Sequence, residues 1–535
     1  MAGNEGSDVS GMSRRRFVQR GLLAGGGTLV GGVALAACGR SSSATGGGLG
    51  RSGAADVIGG PPKRGGTLIR GLVGGGPKDT LDFANANSGA DVVRGLALYD
   101  RLFETTPDYR VVPMLVDEYE VSPDAKVWTL RLHEGVEFHN GKTLTPQDVI
   151  YSMQRILDPK NAEVSAGQLA AVDPNRITAL DHRTVRFELK TASVCFAESL
   201  AVQAIIVPIG FDLAKPIGTG PFKFGSFVAG QQSYFPKNEN YWRSGLPYLD
   251  AITMIDFASD QARANALISG EIHMIDGLPA DLRGLVEAHS DCHVLTYPSN
   301  TWLGFKMRTD KGPTADPRVR EALKLIADRP ALVTTAFSGL GRVANDLYAP
   351  QDPDFDHAIP QRAQDLEKAR FLLKQAGEQS LSLELTAANV SSGMIESSLA
   401  FAQQAKAAGV SIKVNQVEVG TLYGSEYTEW PFATEIFPTL GYFVTAQQTD
   451  GPSSATNTTH FADPEYDSLY YQAIAQTDDS KRKPLMARMQ QIQSEKGGLL
   501  LWGFQDQVDA YRNVGGLKPG VAAAATDYMA ELWLA

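Results

Sequence analysis

Cysteine is scarce in this chain, with three in 535 residues, which excludes a disulfide-built scaffold. Histidine is limited to eight, and only His289-Ser290-Asp291-Cys292-His293 gathers possible metal ligands. That spacing would suit a helix, yet the run leads into strand-like Val294-Leu295-Thr296-Tyr297, so no metal is assigned to it. His133 and His139 flank a turn and read as solvated or structural. Positive charge is in deficit: 49 Lys and Arg stand against 60 Asp and Glu, a net of −11. Nucleic acid as a partner needs a basic face and is excluded on that balance. The sequence has no Gly-x-Ser-x-Gly elbow to seat a serine nucleophile. Its glycine loop, Gly71 to Thr80, imitates a phosphate loop, but Pro77 parts glycine from Lys78, and Asp79 parts Lys78 from Thr80. The convergence of backbone amides and ammonium on phosphate is thereby lost. No catalytic residue, metal or cofactor is assigned, and no repeat of fixed period occurs.

Long apolar runs are also missing. The longest uncharged stretch near the start, residues 21–37, has 17 residues and six glycines, short of the roughly 20 apolar residues of a membrane span. It follows Ser13-Arg14-Arg15-Arg16-Phe17-Val18-Gln19 and ends in Leu35-Ala36-Ala37-Cys38. A basic start, an apolar middle and small residues before a cut describe an export signal, and the twin arginines favour the Tat route. The ending resembles the lipobox of bacterial lipoproteins, which implies lipidation of Cys38 and a mature chain that begins there. Residues 1–37 thus read as a Tat-type lipoprotein signal peptide. Residues 38–63, rich in Gly and Ser, read as the lipidated cysteine and a flexible tether. Without residues 1–37, 45 basic and 58 acidic residues remain, a net of −13.

The chain has 43% apolar residues, ordinary for a globular protein. Short β-branched or aromatic runs predict strands at 66–73, 126–133, 184–190 and 251–257. Thr145-Pro146-Gln147-Asp148 opens a helix, with Thr145 as cap and Pro146 in the first turn. Asp365 opens another, which Gly377 stops; 317–327 and 392–408 predict two more. Gly218-Thr219-Gly220-Pro221 reads as a tight turn whose glycines are free to take positive φ. Phe222, Phe224 and Phe227 after it, like Trp128, Phe138 and Tyr151, read as core aromatics rather than ligand contacts. Cys195 and Cys292 could pair in an oxidising compartment, and read rather as free buried thiols. This order of elements indicates an α/β or α+β protein of more than one lobe.

Several segments in order carry a resemblance. Leu98 to Pro159, which contains LHEGVEFHNGKTLTPQDVIYSMQRILDP, and Pro216 to Met254, which begins PIGTGPFKFGSF, are similar to the extracellular solute-binding proteins of family 5. So are ALISGEIHMID, DPRVREALKLIADRPAL and DLEKARFLLKQAG. These are the dipeptide- and oligopeptide-binding receptors of ABC transporters, and the likeness runs from about residue 64 to the C-terminus. It implies an α/β, two-lobed periplasmic-binding-protein-like fold with mixed sheets, an enlarged first lobe and a central ligand cleft. It implies a monomer that captures a peptide or other small molecule without altering it and passes it to a membrane permease, exported and fastened to the outer face of the membrane by lipid alone.

Two chain crossings are expected near 300–303 and 503–507. The first lobe then comprises 64–302 and 505–535, with a subdomain at about 99–207, and the second 303–504. Family peptide binders carry a Gly-Trp-x-x-Asp stretch whose aspartate meets the peptide ammonium. Here the match is Gly441-Tyr442-Phe443-Val444-Thr445, with Thr445 in place of the aspartate. A hydroxyl does not neutralise a buried ammonium, whose burial unpaired costs several kcal/mol. Either Asp450 or Glu435 substitutes, or the ligand lacks a free amine. The candidate ligand residues are Val73, Gly74, Gly75, Asn300, Trp302, Leu440, Gly441, Tyr442, Phe443, Thr445, Trp502 and Phe504. Trp302 and Trp502 serve equally as hinge packing. A non-peptide solute (oligosaccharide, opine or metal chelate) and a surface sensor or chaperone remain alternatives.

Overall fold

The computed structural model describes residues 59–518, apart from 74, 87, 162, 453 and 455, and residues 528–535. The signal peptide, Cys38, most of the tether and Gly74 lie outside the described residues. The predicted strands form, as Thr67–Val73, Val127–Leu132, Thr184–Leu189 and Ala251–Phe257. The predicted helices form as Pro146–Leu157, Pro317–Ile326, Leu366–Ala376 and Met394–Lys406.

Local chemistry sets their ends. Asp365 accepts the Lys368 amide at 2.8 Å, and Gly377 closes that helix with φ 81°, where a side chain would be strained. Thr145 is the cap of its helix as expected, in a capping box with Asp148 and with Pro146 in the first turn. Asp148 accepts both the Thr145 N–H at 3.0 Å and its hydroxyl at 2.8 Å. The 218–221 turn is corrected: neither Gly218 nor Gly220 has positive φ. A Cβ at either would strike the Leu98 carbonyl, so both are glycine because another stretch of backbone passes against them.

One mixed sheet of eleven strands runs through the protein. Its backbone is a pair of long antiparallel strands, His293–Met307 and Leu499–Tyr511. On one side Leu499–Tyr511 pairs with Met274–Ile275, then come Thr67–Val73 and Ala251–Phe257 in parallel. On the other side His293–Met307 pairs with Phe432–Phe437, and Ser382–Ala387 follows. A separate four-stranded antiparallel sheet holds Val127–Leu132 and Thr184–Leu189.

The cores divide along the long pair. Leu295, Tyr297 and Tyr511 belong to a large cluster with Leu68, Phe103, Trp128, Phe138 and Phe222. Further along, Leu303, Phe305, Leu500 and Trp502 belong to a second cluster with Leu323 and Phe401. Between these points the pairing slips: Pro298 faces Asp506 and Thr301 faces Gln505, so Ser299 and Asn300 have no opposite number. Extra residues in one strand bend a ladder and loosen its register locally.

Candidate functional site

The loop after Thr67–Val73 is held from beneath by a buried ion cluster. Arg94, wholly buried, donates from Nη1 to Asp79 at 2.7 Å and from Nη2 to Asp256 at 2.5 Å, with its plane 5.3 Å from the Phe227 ring. Asp79 also accepts the Gly76 amide at 2.7 Å. Gly75 rests on these acids: a Cβ there would stand 2.6 Å from Asp256 Oδ1. Val73 ends the strand, half-buried, opposite Phe257. The loop, with Asn85, Ser88 and Asp91, lines a cavity of about 530 Å³.

Asn300 lies in the slipped register. Its amide donates to Thr439 Oγ1 at 3.0 Å, and its Oδ1 accepts Arg342 Nη2 at 2.8 Å. Arg342 also donates to the Ser299 carbonyl and lies 3.5 Å from Asp506, so one guanidinium touches both long strands at the irregular point. Trp302 is 1% exposed, stacked between Phe437 at 5.8 Å and Tyr348 at 6.4 Å, and its indole nitrogen has no hydrogen-bond partner among the described residues.

Gly441 precedes the helix Tyr442–Gln448. Trp302, Tyr442, Phe443 and Phe504 share one buried cluster, against which Leu440 packs. Phe443 meets Tyr470 edge-on at 5.5 Å. Thr445 is buried within the helix. Trp502 stands apart, stacked on Phe337 at 5.0 Å in the second cluster. Val73 and Gly75 likewise belong to neither group.

Neither acid considered as a substitute for the missing aspartate is free for the task. Glu435 is 3.1 Å from Lys306 Nζ and accepts the Tyr427 hydroxyl at 3.0 Å, so its charge is already met. Asp450 is fully buried and accepts Tyr348 OH at 2.9 Å, Gln493 Nε2 at 2.8 Å and Thr449 Oγ1 at 3.1 Å. Burial pushes its carboxyl above the usual range.

Sequence reasoning missed two other acids. Glu198, on helix Phe196–Val202, accepts the Gly441 amide and, at 2.7 Å, the Tyr109 hydroxyl. Asp352 accepts the next amide, Tyr442, at 2.9 Å. Glu198 has no cationic partner among the described residues, and burial, with Asp352 near, pushes its carboxyl up to about 7. The only early signal was an acid inside the otherwise apolar run Phe196-Ala197-Glu198-Ser199-Leu200.

Cys195 and Cys292 are free and buried. Among the described residues, no three His, Cys, Asp or Glu side chains are grouped to hold a metal, and no helix is long and apolar enough to cross a membrane.

Comparison with known proteins gives a consistent match. The model for bacterial extracellular solute-binding proteins, family 5, matches residues 110–469. The glutathione-binding protein GsiB of Pectobacterium atrosepticum is 28% identical over 436 residues, covering 76% of this chain and 82% of that protein. The solved structure of AgaA from A. tumefacien R10, in complex with agropinic acid, superposes with a TM-score of 0.76 at 25% identity, over 88% of this chain and 99% of that one. The oligopeptide-binding protein AppA of Bacillus subtilis, in complex with a nonapeptide, gives 0.73 at 20% identity over 89% and 100%. The fold is the two-lobed α/β arrangement that the sequence led us to expect.

Proposed function

The chain belongs to the bacterial extracellular solute-binding proteins of family 5, the capture components of ABC importers, and we propose that it takes up peptides or peptide-like solutes from outside the membrane and presents them to its permease. In this reading the lobes are 64–302 with 505–535, and 303–504, and the ligand lies between them near the start of helix Tyr442–Gln448. The division of the cores between Tyr297 and Leu303 supports those boundaries. Closure is then a bend at the slipped register, stabilised by ligand only so far as it prefers the closed form. The chain binds without catalysing, and Cys38 carries the lipid that fastens it to the membrane.

The observation that carries the ligand reading is Thr445. The position that holds an aspartate in family peptide binders has a buried hydroxyl, and neither Asp450 nor Glu435 is available. With Glu198 and Asp352 also engaged by the amides of Gly441 and Tyr442, the ligand in this reading has a blocked or distant amine. The names of similar proteins suggest the first probes: glutathione, from GsiB, and agropinic acid, from AgaA. A non-peptide solute is the second reading, favoured by the same threonine. Calorimetry with tripeptides, free and N-acetylated, tests the claim. Binding that survives acetylation is expected, and binding that requires the free amine overturns it. Mass spectrometry of the mature N-terminus tests Cys38.

A further inference from the structure

We propose that Glu198 is a proton-linked latch between the two lobes, joining helix Phe196–Val202 to the amide of Gly441 and weakening when its proton is lost. This rests on the two-lobe reading above, which assigns Glu198 to one lobe and Gly441 to the other.

Geometry carries the case. The two residues are 243 positions apart, yet the Glu198 carboxyl meets the amide of Gly441, the N-cap of helix Tyr442–Gln448. Gly441 has no side chain where one would run into both carboxyl oxygens. The same seam is stitched nearby: the Val194 amide donates to the Ile474 carbonyl at 2.9 Å, and Thr477 Oγ1 to the Pro123 carbonyl at 3.3 Å. Glu198 is thus a join between distant segments, seated deep but with some surface still open to solvent.

The charges around it are unbalanced. Facing Glu198 are the Tyr109 hydroxyl, the Asp352 carboxyl and the Cys195 thiol, and none is a cation. Arg482 acts on Asp352 and is itself engaged by Asp354 at 2.5 Å. Two carboxyls therefore converge on the start of one short helix, and burying both as anions is costly. Burial raises the Asp352 carboxyl too. A proton on Glu198 relieves the conflict, since a neutral carboxyl still accepts from an N–H.

The sign follows from linkage. Once the seam opens, Glu198 returns to water and to its ordinary value of 4.5, whereas the closed seam holds it at about 7. A raised carboxyl favours the closed form fully below 4.5, loses that advantage as pH rises towards about 7, and changes little beyond it.

Hydrogen exchange of the Gly441 amide in the mature chain without ligand, corrected for intrinsic rate, reads the latch directly. Protection is expected to fall on the order of tenfold between about pH 5 and about pH 7 in the native protein, and to stay level in Glu198→Gln. A flat native profile, or an equal fall in Glu198→Gln, overturns the proposal. Tyr109→Phe provides a second variant: it removes a donor that favours the anion, so the midpoint should move to higher pH, and an unmoved midpoint counts against the latch. Small-angle scattering with and without the tripeptide N-acetyl-Ala-Ala-Ala separates the two readings. Compaction on adding peptide, with a flat pH profile, rejects the latch and leaves solute capture standing.

Discussion

Tyr348 donates its hydroxyl hydrogen to Asp450 at 2.9 Å, and both side chains are completely shielded from water. Gln493, on helix Asp479–Lys496, completes the group, donating to Asp450 at 2.8 Å and accepting from Tyr442 at 2.9 Å. The aromatic wall beneath Gly441 is therefore fixed by a polar network. Tyr348→Phe should lower stability by about 1–2 kcal/mol, and Asp450→Ala by more, since it strands three donors. Urea unfolding followed by circular dichroism measures both. Equal, negligible effects would mean the network contributes nothing.

Arg94 neutralises Asp79 and Asp256 beneath the glycine loop. Arg94→Met leaves two carboxylates without their counterion, and a loss of about 3–5 kcal/mol is expected. Asp256→Asn in the same background should recover part of it, as one uncompensated charge is removed. Additive losses would contradict this account.

Thr445→Asp restores a carboxylate where family peptide binders have one. The variant should come to prefer free over N-acetylated tripeptides by at least about tenfold, or ~1.4 kcal/mol, relative to the native chain. Calorimetry with the same peptide pair provides the comparison. A variant as indifferent to the amine as its parent would place the ligand elsewhere.

Gly218→Ala tests close approach against backbone conformation. With ordinary φ, alanine should be accepted there at no cost if conformation were the reason for glycine. Collision with the Leu98 carbonyl instead predicts a loss of about 1–3 kcal/mol, visible as a lowered melting temperature.

Burial pushes the Cys195 thiol up to about 12. Near neutral pH it is held as the unreactive thiol, so Ellman's reagent should leave it unmodified in native protein and label it after unfolding. Rapid labelling of the native chain would show the seam around it to be open.

Much of the scaffold was legible because it is local. Strands such as Ala251–Phe257 announce themselves in residue type, and the helix from Asp365 to Gly377 carries its own start and stop. The turn at 218–221 was located correctly, but its glycines were explained wrongly, because the obstructing carbonyl belongs to Leu98, far away in sequence. Glu198 escaped for the same reason. Nothing within several residues of it hints at Gly441, and only the folded chain reveals the pairing. Arg342 was passed over too, since its three contacts come from two other strands. Substitution at Thr445 was visible in the sequence, whereas the prior engagement of Glu435 by Lys306 was not.

The paired strands His293–Met307 and Leu499–Tyr511 have a mechanical consequence. A laced ribbon flexes readily about an axis in its own plane and resists sliding or swivelling, because those motions would sever many rungs together. In the two-lobe reading proposed above, the jaws are thus confined to nearly one degree of freedom, with the pivot at Ser299 and Asn300, where the first of two register slips falls.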